Sequence, residues 1–199
     1  EEQLTEMQLL QGRGVFGIEM CIFDNSGRAL PWDGEASGAL KVRGPWVAKG
    51  YYGLTDVPGD EGCPVDKNGW FDTGDVASIS PDGFLKITDR TKDVIKSGGE
   101  WISSIEIENA AVNHEDISEA AVIGRYHPKW TERPLLICVL QEGKSLSSEE
   151  VLEFLKDKLH KMAIPDAVEF IDELPHTATG KINKLGLRQT FENYEFPAA

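Results

Sequence analysis

The chain has 199 residues, 40% hydrophobic and 27% charged, a balance that supports one or two cored domains and argues against wholesale disorder. Its formal charge of -14 opposes any extended contact with nucleic acid, because that binding depends on lysines and arginines displacing condensed cations. A small nucleotide stays open to it, since a few local cations and backbone donors can hold one whatever the global sign.

From Gly14 to about Arg90 short strands alternate with turns. Residues 15–24 end at Asn25-Ser26-Gly27, residues 38–43 end at Gly44-Pro45, and residues 46–52 run into a polar Gly/Pro/Asp stretch. This half reads as a small β-barrel-like or sandwich piece. Near its end Pro81-Asp82-Gly83-Phe84 carries the Asp-Gly pair favoured in a two-residue type I′ turn, which folds residues 76–80 back on 84–89. With Pro81 facing Phe84, counting outward brings Asp75 opposite Arg90, on one face of the ladder. Such a pair suits a ribose diol and a nearby phosphate. Two alternatives stand beside that reading. The pair could be a surface salt bridge closing a hairpin, and a one-residue slip would separate the two onto opposite faces.

After Arg90 the character turns to mixed helix and strand. Ser103 with Glu106, and Ser147 with Glu150, have capping-box spacing ahead of apolar helical positions. Residues 119–123, 135–140 and 167–171 have the β-branched apolar content of buried strands. The fold class expected is therefore α+β: a β-rich subdomain over residues 1–91, then a mobile domain over 92–199 with a small mixed sheet flanked by helices. A hinge fits the polar link at Thr91-Lys92, where a few terminal residues can absorb a rotation.

Two further segments carry chemistry. Ser97-Gly98-Gly99-Glu100-Trp101 follows a short apolar strand; its glycines could line a narrow channel or simply make a tight turn, and Trp101 could wall a tunnel or cap a core. Leu174-Pro175-His176-Thr177-Ala178-Thr179-Gly180-Lys181 sets Lys181 in a punctuated loop between a predicted strand and a helix beginning near Lys184. A solvated surface lysine is the default. Fixed loop ends would instead let this ammonium be inserted reproducibly elsewhere, to stabilise negative charge on a carboxylate and phosphate.

The acidic start, with no apolar run of about eighteen residues, predicts a cytosolic protein without a transmembrane segment. Cys21, Cys63 and Cys138 lack any CxxC or Cys/His pattern and read as reduced thiols, with no metal site. Gly12-Arg13-Gly14-Val15-Phe16-Gly17 matches GxGxxG but leads into a strand, the reverse of a dinucleotide fingerprint. Thr177 to Lys181 fails as a P-loop, with Pro175 at the first glycine position and Ile182 after the lysine.

As a set, these residues resemble the adenylate-forming superfamily of acyl-CoA synthetases, carrier-protein adenylation domains and luciferases. The matching stretches, in order, are Gly38 to Pro45, Gly69 to Asp75, Asp89 to Asp93, Ser97 to Glu108 and Pro175 to Lys181. Lys96 to Ser104, with His127-Pro128-Lys129-Trp130, is most similar to the medium- and long-chain fatty acyl-CoA synthetases. The resemblance implies a two-step ligase: a fatty acid and ATP give an acyl-adenylate and pyrophosphate, then CoA thiol displaces AMP after a domain rotation. It implies that Asp75 holds the ribose with help from Arg90, that Lys92 is the hinge, and that Lys181 serves adenylation. Gly98, Gly99, Glu100 and Trp101 would then face CoA. Mg²⁺ is expected with ATP, although no ligand cluster is present in the chain.

The family's phosphate loop and its aromatic-Gly-x-Thr-Glu motif are missing; Thr5-Glu6-Met7 lacks the aromatic and glycine before it. The chain is therefore expected to be a C-terminal portion, inactive by itself, whose partner is the N-terminal domain of the same polypeptide. A homodimer stays open beside that partner; the alternatives for function are a non-catalytic nucleotide- or partner-binding module of the same fold and a carrier-protein adenylation domain.

Overall fold

The computed structural model describes residues 10–55 and 57–197; Thr5-Glu6-Met7 lies outside them. The chain divides into two units, Glu1–Lys92 and Asp93–Ala199.

In the first unit four antiparallel strands pair in sequence order: β1 (Glu19–Phe23), β2 (Gly38–Arg43), β3 (Phe71–Ile79) and β4 (Leu85–Arg90). Alternate residues point to one face, where Ile22, Leu40, Ala77 and Ile79 form a core with Met20, Leu30 and Leu85. Among the described residues the sheet is open: β1 and β4 are its edges and no closed barrel is made. Residues 11–13 blunt the β4 edge, with Gln11 N–H donating to Leu85 O and Leu85 N–H to Gly12 O, each at 2.8 Å. The expected strand over 46–52 does not form. Both edges of β2 are already taken by β1 and β3, and Pro45 cannot donate to a ladder. Trp46 and Tyr52 are left exposed.

The second unit has one mixed sheet, in the order β6-β5-β8-β7, with β9 running parallel to β8. Its strands are β5 (Ile95–Ser97), β6 (Glu100–Ile102), β7 (Ile117–His127), β8 (Thr131–Leu140) and β9 (Ala167–Phe170). Helix α1 (Ser104–Val112) starts where the Ser103 side chain accepts from Glu106 N–H. Helix α2 (Ser148–Lys156) opens with the full capping box of Ser147 and Glu150, and α3 (Lys184–Thr190) with Asn183 accepting from Gly186 N–H. The near-continuous apolar runs of β7 and β8 follow from burial of both sheet faces. Ala120, Val122, Leu136 and Cys138 share a core with Ile107 of α1 and Val151 and Leu155 of α2. Ala121, Ile123, Leu135 and Ile137 pack with Leu187 of α3.

Burial on the helical side pushes the Cys138 thiol up from an ordinary 9.0 to about 12. The unfolded thiol ionises near its ordinary value and the folded one does not, so this group's contribution to stability is complete below about pH 9 and declines toward pH 12. Cys138 is expected to escape a thiol reagent at about pH 8 until denaturant is added, while the partly exposed Cys21 and Cys63 react in the native protein. Labelling of Cys138 without denaturant, followed by mass spectrometry, would refute this.

Candidate functional site

In the first unit the chemistry gathers at the open end of the β3–β4 hairpin. The turn differs from the two-residue form expected: Ser80 N–H donates to Phe84 O at 2.9 Å and Gly83 N–H to Ser80 O at 2.8 Å, so Pro81-Asp82-Gly83 is a three-residue loop. Gly83 takes φ 80°, which is why a glycine closes it. A three-residue loop alone would misalign Asp75 and Arg90 by one position. Thr88 is bulged out of β4, however, since Val76 pairs with Asp89 and Ala77 with Ile87. The two irregularities cancel, and Asp75 faces Arg90.

Neither residue forms an ion pair among the described residues, so the salt-bridge alternative is not observed. Together with Thr73, Gly74, Thr91 and the exposed Lys92, they line a cleft of about 530 Å³. Asp75 N–H donates to Thr73 Oγ1, which donates to Leu40 O at 2.9 Å, and this fixes the strand end that carries the carboxylate. Thr91 N–H is used by Gly74 O, yet Thr91 Oγ1 is sealed from water with no hydrogen-bond partner. A buried hydroxyl without a partner is uncommon. The cleft itself offers carboxylate acceptors and a guanidinium donor, the set that a ribose diol with an attached phosphate would use.

In the second unit the two predicted loops are separate features. Lys181 is exposed, and its backbone is held twice: Thr177 N–H donates to Lys181 O at 2.7 Å, and Lys181 N–H to Thr177 Oγ1 at 3.2 Å. The loop ends are anchored as well. Leu174 is fully buried, Asn183 N–H donates to Pro175 O at 2.7 Å, and Lys184 reaches Glu108 at 2.8 Å and Ser104 Oγ at 2.6 Å. Among the described residues the Lys181 ammonium has no hydrogen bond or ion pair. The loop is fixed while its cation is free.

Gly98 and Gly99 form the turn between β5 and β6, at φ 58° and 95°, the positive pair that a type I′ hairpin requires. Both are exposed, as is Glu100. Trp101 is half-buried and does not cap a core; the Lys96 ammonium lies 5.2 Å from its ring centre. Among the described residues no group of three or more His, Cys, Asp or Glu is arranged to hold a metal. No helix among them is long and apolar enough to cross a membrane.

Residues 106–181 match the model of the AMP-binding enzyme C-terminal domain. Those residues make up most of the second unit. The adenylate-forming likeness extends well beyond the matched residues. A 3-methylmercaptopropionyl-CoA ligase of Ruegeria lacuscaerulensis is 50% identical over 192 residues, 96% of this chain and 34% of that protein. A medium-chain-fatty-acid–CoA ligase of Ectopseudomonas oleovorans is 48% identical over 96% of this chain and 34% of its own length. ATP-bound MatB from Rhodopseudomonas palustris superposes with a TM-score of 0.77 at 30% identity, over 93% of this chain and 36% of that one. The chain spans about a third of the length of the curated relatives it matches.

The supporting roles of several residues around these loops escaped the reading of the sequence. Trp130 and Arg133 lie against the glycine turn, and Lys184 anchors the loop of Lys181. Arg133 could have been suspected from an arginine abutting the apolar run that begins at Leu135. Nothing local distinguishes Lys184 or the orphaned hydroxyl of Thr91.

Proposed function

We propose that the chain serves as the C-terminal portion of an ATP-dependent, AMP-forming fatty acyl-CoA synthetase. In the first step a carboxylate oxygen of the acid attacks the α-phosphorus of ATP, the bond to the β-phosphate oxygen breaks, and pyrophosphate departs. In the second the CoA sulfur bonds to the acyl carbon, the bond from that carbon to the phosphate oxygen breaks, AMP leaves, and the thiol proton passes to solvent. The observation that carries the reading is the cleft of Asp75 and Arg90, in a chain that matches the AMP-binding enzyme C-terminal domain over residues 106–181.

In this reading Asp75 accepts from the ribose hydroxyls, Arg90 donates beside them, and Lys181 stabilises charge in adenylation. Gly98, Gly99, Glu100 and Trp101 border the path of the CoA thiol. Lys92 is the pivot of a rotation that brings Lys181 and then the glycine turn to the reacting carbon, in keeping with their places on separate loops of one unit. Mg²⁺ would arrive on the ATP phosphates. The three free cysteines suit a reducing cytoplasm.

The test uses the full-length polypeptide that carries this chain. Acid-dependent exchange of pyrophosphate into ATP is expected, followed by release of AMP and acyl-CoA, with medium-chain fatty acids and 3-methylmercaptopropionate compared as substrates. ADP as the product would overturn the reading. Nucleotide binding without any acid-dependent release of pyrophosphate would favour the non-catalytic module.

A further inference from the structure

The Gly98-Gly99 hairpin is tied to the rest of its sheet by a single ladder pair, Ser97 with Thr131. A turn with two exposed glycines and so little pairing would wander unless something else held it. The tip of the β7–β8 hairpin holds it. Over three successive positions the tip engages the strand and turn that lead to the glycines. Glu132 Oε2 accepts from Lys96 N–H at 2.9 Å. Arg133 donates to Ser97 Oγ at 3.2 Å. Trp130 O accepts from Gly98 N–H at 2.9 Å.

The Trp130 indole completes the grip. A side chain at position 98 would place its Cβ 2.8 Å from Cε3 and 3.1 Å from Cζ3 of Trp130, so the ring fills the space that Gly98 leaves open. Glycine is required at 98 twice over, for its φ of 58° and for that contact.

The tip is itself braced. His127 Nδ1 accepts from Lys129 N–H at 3.1 Å and Trp130 N–H at 3.3 Å. Arg133 is almost wholly buried, at 7% side-chain exposure, and also donates to Asp166 Oδ1, Met162 O and Ile164 O, leaving its planar fork little freedom. Thr131 adopts φ 72°, the left-handed region that a β-branched residue rarely enters, at the very residue that pairs with Ser97. Strain of this kind persists where surrounding contacts over-determine the backbone.

From this we propose that Trp130, Glu132 and Arg133 are positioning residues for the thioester-forming step: they fix the glycine turn against which the CoA thiol is aligned, and take no part in adenylation. The inference rests on the two-step reading given above. It deepens that reading by assigning the second step a support built from the β7–β8 tip, remote in sequence from the turn it holds.

The experiment compares wild type, Trp130→Ala, Trp130→Phe and Ser97→Ala in the full-length polypeptide, measuring the two half-reactions separately. Trp130→Ala is expected to slow CoA attack on supplied acyl-adenylate by about tenfold to a hundredfold, the cost of an ångström-scale misplacement, with pyrophosphate exchange within about twofold of wild type. Trp130→Phe should recover much of the loss. Ser97→Ala, which deletes one hydroxyl and leaves Arg133 its other partners, should show the same split more weakly. Amide hydrogen exchange over residues 96–100 should quicken in Trp130→Ala while β7 and α1 keep their protection. If both half-reactions fall together, if neither falls, or if exchange over 96–100 is unchanged, the positioning role is refuted. If the wild type itself makes no thioester from acyl-adenylate, it is the two-step reading that fails, and the role in that step falls with it; the exchange measurement then still reports whether the tip holds the turn.

Discussion

Lys181→Ala in the full-length polypeptide is expected to reduce acid-dependent pyrophosphate exchange by about a hundredfold to a thousandfold, while CoA attack on supplied acyl-adenylate stays within a few-fold of wild type. The magnitude is that of removing one preorganised donor from a site where charge develops, about 3–4 kcal/mol of transition-state stabilisation. The asymmetry is the informative part. An ammonium whose loop is anchored at Leu174, Asn183 and Lys184 and whose own charge is unspent can act in one step and be absent from the other. If both steps decline equally, Lys181 is not an adenylation residue, and the rotation proposed around Lys92 loses its main support.

Replacing Arg133 by Met should lower stability more than any surface change, by about 3–5 kcal/mol, because it strands a charged partner in a largely buried network. Asp166 would lose its guanidinium, and the carbonyls of Met162 and Ile164 and the hydroxyl of Ser97 would lose a donor. Asp166 keeps 27% side-chain exposure, which favours the lower part of that range. Urea unfolding followed through tryptophan fluorescence should show the transition of this unit displaced by at least about 1 M. The double variant Arg133→Met/Asp166→Leu should regain part of the loss, since no charge is then left unpaired. A single variant within about 1 kcal/mol of wild type would show that the network contributes little.

The elements most legible in the sequence were those with a local cause. Residues 38–43 were expected as a strand and form β2, and the Ser147/Glu150 pair opens α2, because alternation and capping act within a few residues. The strand expected over 46–52 failed because its formation depended on a free sheet edge, a property of the tertiary arrangement. The facing of Asp75 and Arg90 was reached through a wrong turn: the two-residue loop assumed is a three-residue loop, and the bulge at Thr88 restores the count. The glycine turn and the loop of Lys181 stood out through Gly and Pro. Their supports did not, since Trp130, Arg133 and Lys184 act across 32 to 80 residues of chain, a separation that no short-range pattern encodes.

The compensation inside the β3–β4 hairpin has an evolutionary corollary. Deleting Thr88, or one residue of the loop at 81–83, would leave Asp75 opposite Arg90, because every pair in the ladder keeps its partner, whereas deleting one residue of β3 between Val76 and Ile79 would set Asp75 against Asp89. Single gaps should therefore be tolerated in the loop or at Thr88 among related chains and be scarce between Val76 and Ile79. A lineage with a gap in that stretch of β3 should have had to rebuild its cleft from different side chains.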